Sequence, residues 1–192
     1  MKNTFKIILS SLCLIAGLSF SSCKNDKEDS SKDVAEDQNK TEFNDNKQDK
    51  NNAQFVVDVA AANYYEIGLS KYAADRSATK DVKDMAHMIV RDHGIALNDL
   101  KTVAAHNSIS IPNEDTARVN DKIRSWRDKK QSDFEKAYID EMVNEHKNAV
   151  DKLEKGANGD VNNNDVTAWI NSTLPVVRTH LQKFTDMQKM MK

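Results

Sequence analysis

Four strongly polar residues interrupt the apolar patterns of this chain, one in each pattern: Glu66, His93, His146 and His180. Each of the first three lies about 13 residues, or about 20 Å, from the start of its helical pattern. His180 lies near the carboxyl end of the last pattern. In a bundle of four helices we therefore expect these four side chains to occupy one layer. One carboxylate and three imidazoles suit a divalent first-row metal ion as ligands.

An acidic residue directly precedes two of these histidines, Asp92 before His93 and Glu145 before His146. Carboxylates beside metal-bound imidazoles either orient the rings from outside or add ligands, so we expect one of these roles for both. The same layer also fits a core hydrogen-bond network without any ion, because buried histidines need partners and Glu66 supplies them. The sequence leaves both interpretations open.

The sequence does not predict oxidative di-iron chemistry. Bundle enzymes of that type use two Glu-x-x-His pairs and two further glutamates, whereas this chain contains no Glu-x-x-His. The nearest relative of that motif, Asp84 with His87, lies partly off the apolar face. We therefore expect binding, with a metal ion as the predicted cofactor, rather than catalysis. The alternative function is a structural or protein-interaction module whose polar layer only specifies the fold.

The elements that must position these residues are helices, because apolar residues recur alternately three and four apart from Phe55 onward. The first pattern ends near Ser77 and the second stops before Asn107. Within these patterns the small residues Ala62 and Ala96 occupy apolar positions. A connecting segment over residues 116–130 predicts a short helix that crosses the bundle between the second and third long helices.

Two further patterns complete the bundle. Ser132 and Glu135 stand three apart and predict a capping box at the start of the third long helix. Its apolar face includes Ala149 or Val150, and the glycines from Gly156 end it. The fourth helix runs from about Val166 and includes Pro175. The prediction is an all-α, up-down four-helix bundle over residues 53–192.

The composition agrees with an all-α class, since the chain has 5 glycines, 2 prolines and 30% charged residues. Such a chain offers little of the turn chemistry that a many-stranded sheet needs. The formal net charge is −2. A balance this close to neutral does not predict a nucleic-acid partner, and no protein partner follows from the sequence.

Residues 1–22 predict a secretory signal peptide, because two lysines precede an apolar run and then small residues. The stretch that ends Phe20-Ser21-Ser22-Cys23 resembles the lipobox of bacterial lipoproteins, in which the cysteine becomes the diacylated amino terminus, carrying palmitate-like chains. Residues 23–52 are polar and are predicted to be a disordered tether. The acidic cluster behind Cys23 resembles the surface-export signal of Bacteroidetes lipoproteins. We expect a lipid anchor in the outer membrane, on the periplasmic or the extracellular side.

Several motifs together resemble a known family, and they occur in the same order along the chain: Glu66-Ile67-Gly68-Leu69, Met88 to His93, Phe134 to Ile139 with His146, and Leu174-Pro175 with His180. They resemble the domain of unknown function 4142 family over about residues 54–187. Glu135 stands where that family commonly has Asp. The resemblance implies a ferritin-like helical bundle in an exported bacterial protein, and it implies no established activity.

Overall fold

The computed structural model describes residues 30–191. Over that range the chain forms six α-helices: α1 Ser31–Glu42, α2 Lys47–Arg76, α3 Lys80–His106, α4 Thr116–Trp126, α5 Gln131–Lys155 and α6 Asn164–Met190. Among these residues no helix has the length and apolar character that crossing a membrane requires. The predicted signal peptide and the predicted lipid attachment at Cys23 lie outside the described residues.

The four long helices α2, α3, α5 and α6 form the predicted bundle, and every pair of neighbours in it is antiparallel. Arg76 at the end of α2 donates hydrogen bonds to the carbonyl groups of Trp126 and Lys129, both at 2.6 Å, so α5 begins where α2 ends. Asn163, just before α6, donates to the side chain of Asn107 after α3 at 2.7 Å. The helix α4 therefore carries the chain back along the bundle, as in ferritin-like connectivity with one crossover.

The crossover helix packs closely on α2 because of one glycine. A Cβ atom on Gly68 would lie 2.7 Å from a methyl carbon of Val119 on α4, which is closer than atoms can approach. Gly68 therefore lets α4 approach the middle of α2 and cover the bundle at the level of Glu66. The prediction of a short crossover helix is confirmed.

The core has two clusters, which meet at the level of the four polar residues. The basal half contains Phe55, Val59, Leu100, Leu153, Trp169 and Ile170. The aromatic half contains Tyr65, Trp126, Phe134, Tyr138, Met142 and Phe184. On α3, for example, Ile89 belongs to the aromatic half and Leu97 to the basal half, with His93 between them.

The prediction of a disordered tether is wrong for residues 31–52. Helix α1 begins with a capping box between Ser30 and Asp33, and α2 begins at Lys47, well before Phe55. Few apolar residues hold α1 in place. Instead, the buried Asn39 side chain exchanges two hydrogen bonds of 2.7 Å with the backbone of Ser110. Polar contacts of this kind leave no trace in an apolar pattern.

The predicted capping box at Ser132 and Glu135 is also wrong. Helix α5 begins at Gln131, and no side chain caps its first turn. The buried carboxylate of Glu135 instead accepts hydrogen bonds from the backbone N–H groups of Ala78 and Thr79 at 2.8 and 3.0 Å. It therefore ties the start of α5 to the residues that lead into α3.

Candidate metal centre

Each long helix contributes one side chain to a single buried layer: Glu66 from α2, His93 from α3, His146 from α5 and His180 from α6. Their exposed fractions are 2%, 4%, 0% and 2%. The three imidazole rings lie mutually close, with centroid distances of 5.3, 5.4 and 5.6 Å. One nitrogen from each ring lies within 4.8 Å of the others. The structure therefore brings together all four predicted site residues.

Two of the histidines are oriented by a partner outside the layer. His146 Nδ1 lies 2.9 Å from the carbonyl oxygen of Met142, one turn earlier on α5. Because a carbonyl only accepts, Nδ1 of the neutral ring donates its proton and Nε2 carries the free lone pair. Likewise His180 Nε2 donates to Asp92 Oδ2 at 3.0 Å, which leaves the lone pair on Nδ1. Each ring is thus held as a metal-binding histidine is usually held.

Glu66 faces the other two histidines. One carboxylate oxygen, Oε2, lies 2.8 Å from His93 Nδ1, although the ring is not oriented for a hydrogen bond. The second oxygen, Oε1, lies 3.6 Å from His146 Nδ1. The carboxylate therefore touches two histidines without completing a hydrogen bond to either.

Buried polar atoms without a partner are concentrated in this layer. Among the described residues, six buried side-chain nitrogen and oxygen atoms make no hydrogen bond, and five belong to these four residues. They are Glu66 Oε1, both ring nitrogens of His93, His146 Nε2 and His180 Nδ1. Because buried polar atoms almost always have partners, this cluster indicates a group that bonds to one atom of each of the four residues.

The protonation states suit a cation. Burial acts to raise the pKa of Glu66, but attraction from His146 and His93 outweighs it and lowers this pKa. Burial lowers the pKa of His146, and burial together with repulsion from His93 lowers the pKa of His180 to about 4. Near neutral pH the layer therefore holds the ionised carboxylate of Glu66 and free lone pairs on His146 and His180, which are the forms that bind metal ions.

The family model of the domain of unknown function DUF4142 matches residues 38–187. The chain belongs to this family. The match begins inside α1 and includes Glu66 and the three histidines of the layer. It confirms the resemblance that the sequence motifs indicated. Comparison of this DUF4142 chain with curated proteins and with solved structures gave no match.

The two acidic residues next to the histidines differ in position within the DUF4142 domain. Asp92 contacts His180 of the opposite helix and also accepts from Arg91 at 2.8 Å, so it orients a ring from outside the layer. Burial acts to raise the pKa of Asp92, but the bonds from Arg91 and His180 outweigh it and lower the pKa. Glu145 instead bonds Arg118 at 2.8 Å, which directs its carboxylate toward α4.

A cavity of about 410 Å³ adjoins the layer on its basal side. Glu66, His93 and His180 line it, together with alanines from three helices, Ala62, Ala96 and Ala149. Small residues at facing positions leave the space between the helices unfilled. In the apolar patterns these alanines occupy ordinary core positions, so the patterns did not predict the cavity. The only signal for it was that three helices each carry an alanine near the polar layer.

The opposite side of the layer in this DUF4142 domain is filled. The ring of His146 packs against Phe184 at 5.2 Å between centroids, and Phe184 packs edge-on against Tyr138 at 6.0 Å. The hydroxyl of the buried Tyr138 bonds Ser70 at 2.9 Å. The aromatic half thus fixes the histidines from one side, while the basal half gives access from the other.

Proposed function

We propose that this protein binds one divalent first-row metal ion through His93, His146, His180 and Glu66, as a lipid-anchored protein of the cell envelope. The observation that carries the metal assignment is the set of five buried, partnerless nitrogen and oxygen atoms in one layer. A cation bonded to one atom of each residue provides a partner for four of these atoms, and the second nitrogen of His93 carries the proton of the metal-bound ring.

The donor atoms follow from the outer partners of each ring. His146 offers Nε2 and His180 offers Nδ1, because the other nitrogen of each ring already donates elsewhere. Around a tetrahedral zinc ion at 2.0–2.1 Å, ligand nitrogens stand roughly 3.3 Å apart. The imidazole nitrogens now lie within 4.8 Å of one another, so binding draws them together by at most about 1.5 Å.

A core hydrogen-bond network without an ion is the competing interpretation. It accounts for the contact of Glu66 with His93 and for the bond between His180 and Asp92. It leaves Glu66 Oε1, His146 Nε2 and His180 Nδ1 without partners, a cost that buried networks normally avoid. An interaction module is supported less well, since the described residues expose only four large apolar side chains: Val34, Ile95, Val176 and Met190.

The envelope location rests on the sequence before the described domain. Basic residues, then an apolar run and then small residues precede Cys23, the cysteine to which we assign the lipid. Helix α1 begins at Ser31, so few residues separate the proposed anchor from the folded domain. The metal layer would then lie close to the membrane surface, and the outer membrane is the expected membrane.

Metal content of purified protein tests the metal assignment. The chain is purified without a histidine tag or chelators, loaded separately with zinc, iron, manganese and copper, freed of excess ion and measured by elemental mass spectrometry. We expect about one tightly bound ion per chain for at least one metal. His93→Ala should lose that ion, whereas His87→Ala, which changes an exposed histidine of the same helix, should keep it.

Two outcomes would count against metal binding. A wild-type chain that retains none of the four metals would support the hydrogen-bond network, in which His93→Ala lowers thermal stability with no ion to lose. A His93→Ala chain that retains as much metal as wild type would place the ion elsewhere, for example at the exposed pair His106 and Asp165.

A further inference from the structure

The cavity beside the metal layer has features of a ligand site. We propose that it binds a small organic molecule with a monoanionic head, such as a carboxylate, on the metal ion and an apolar body in the basal half. This inference rests on the proposed metal site and adds the class of ligand that the site takes.

The walls of the cavity are largely apolar, and the largest side chain among them, Trp169, is held rigidly. Val59, Leu153, Trp169 and Val177 from three helices line the cavity, all of them at most 7% exposed. The indole N–H of Trp169 donates to the carbonyl group of Ala96 at 2.9 Å. This bond fixes the ring, and the polar atom of Trp169 is already used. The ring therefore presents carbon surface to an occupant.

The volume fits a small molecule. Protein interiors are normally packed as densely as organic crystals, and unfilled space in a core lowers stability. A cavity of about 410 Å³ lies in the range of small-molecule sites, roughly 300–1,000 Å³. It has room for an organic molecule of about ten non-hydrogen atoms.

The cavity reaches the ion directly. Glu66, His93 and His180 line it, and Glu66 Oε1 and His180 Nδ1 are two of the buried atoms without partners. His146 approaches the layer from the other side, where Phe184 backs it. A zinc ion held by four protein ligands takes a further donor by expanding to five-coordination, and the cavity is the route by which such a donor reaches it.

Charge selects the head group. Most carboxylates that line the cavity already have partners: Asp58 bonds Lys152 and Lys32 at 2.7 Å each, and Glu145 bonds Arg118. A divalent ion bound by the carboxylate of Glu66 and by three histidines forms a buried complex with a net charge of +1. A buried charge is costly unless it is paired, so a monoanionic donor is favoured.

Calorimetric titration with 3-phenylpropanoate tests the inference, with bound zinc counted in every sample by elemental mass spectrometry. Zinc-loaded protein should bind this probe saturably, with about one molecule per chain. Acetate, which has the head alone, and 3-phenylpropanol, which has the body alone, should each bind at least about tenfold more weakly. Metal-free protein should lose binding to the same extent.

Ala149→Leu and Ala62→Leu are the matched variants, because each fills the cavity from one helix without changing a metal ligand. Each should keep its zinc and its helical spectrum and should bind 3-phenylpropanoate at least about tenfold more weakly. Absence of saturable binding to zinc-loaded wild type overturns the inference and leaves metal binding intact. Equal binding to metal-free protein, or unchanged binding in both variants, also overturns it. If the protein retains none of zinc, iron, manganese and copper, the metal proposal itself has failed.

Discussion

The aromatic half and the basal half of the bundle are built from the same four helices, but only the aromatic half is fully packed. In the aromatic half, Tyr65, Phe134, Tyr138, Met142 and Phe184 are at most 1% exposed and fill the space between the helices. In the basal half, alanines face one another and a cavity of about 410 Å³ remains. The polar layer lies at the boundary between them. One half therefore holds the histidines in position, and the other leaves their lone pairs accessible.

The aromatic half positions the histidine side chains, and the basal half gives an ion access to them. A site residue needs neighbours that fix its rotamer, and His146 has Phe184 and the carbonyl group of Met142. An ion also needs a route and a free coordination position, which a filled core does not offer. Substitutions in the two halves should therefore change stability and metal affinity to different extents.

Phe184→Ala should destabilise the protein by about 3–5 kcal/mol, because it empties a fully buried ring position in the aromatic half. Ala149→Leu adds a larger side chain in the basal half and should change stability by less than about 1.5 kcal/mol, since the cavity accommodates it. Urea unfolding of both variants measures the comparison. Equal losses would mean that the two halves are packed alike.

Acidification should destabilise the metal-free protein by about 3 kcal/mol, mainly through His180. The folded-state pKa of His180 is lowered to about 4 from the usual 6.5, so the unfolded chain takes up a proton first as pH falls. The contribution of neutral His180 to the free energy of unfolding is fully present above about pH 6.5 and is lost between pH 6.5 and 4. The lowered pKa of His146 acts in the same direction.

Urea unfolding between pH 8 and pH 4 measures this dependence. His87→Gln, at an exposed histidine, should leave the slope unchanged, and His180→Gln should flatten it. The lowered pKa of Glu66 adds a further loss only as pH falls below about 4.5. A flat profile from pH 7 to 5 in the wild-type protein would show that the histidine layer is not desolvated as described.

Asp92→Asn should weaken metal binding by about ten- to a hundredfold, which corresponds to roughly 1.4–2.8 kcal/mol. The carboxylate of Asp92 accepts from His180 Nε2 and so orients the ring and raises its basicity. Asp99→Asn, which changes an exposed acid seven residues along the same helix, is the control and should have little effect. Competition with a zinc-binding dye measures both affinities. Equal affinity in the two variants would show that Asp92 does not contribute to metal binding.

The bundle and its polar layer could be predicted from the sequence because both follow from helical spacing. A long helix needs one apolar face, and a strongly polar residue on that face, such as Glu66 or His146, is visible as an interruption. The crossover helix was predicted for the same reason, since residues 116–126 carry their own short pattern.

The features that escaped prediction depend on contacts between distant segments. Helix α1 is held by Asn39 on Ser110, and the start of α2 by Asn52, whose amide exchanges hydrogen bonds with the backbone of Asn162. Polar anchors like these look the same in sequence as a solvated tether. The cavity also escaped, because an alanine such as Ala149 suits both a tightly packed helix crossing and an open space.

Anomalous diffraction from crystals of the metal-loaded protein tests the central claim most directly. Data collected above and below the absorption edge of the bound metal should give one strong peak within the layer. For zinc, the peak should lie about 2.0–2.2 Å from His146 Nε2, His180 Nδ1, a nitrogen of His93 and an oxygen of Glu66. A layer without a peak in metal-loaded crystals, or a peak only at surface residues such as His87, would contradict the account.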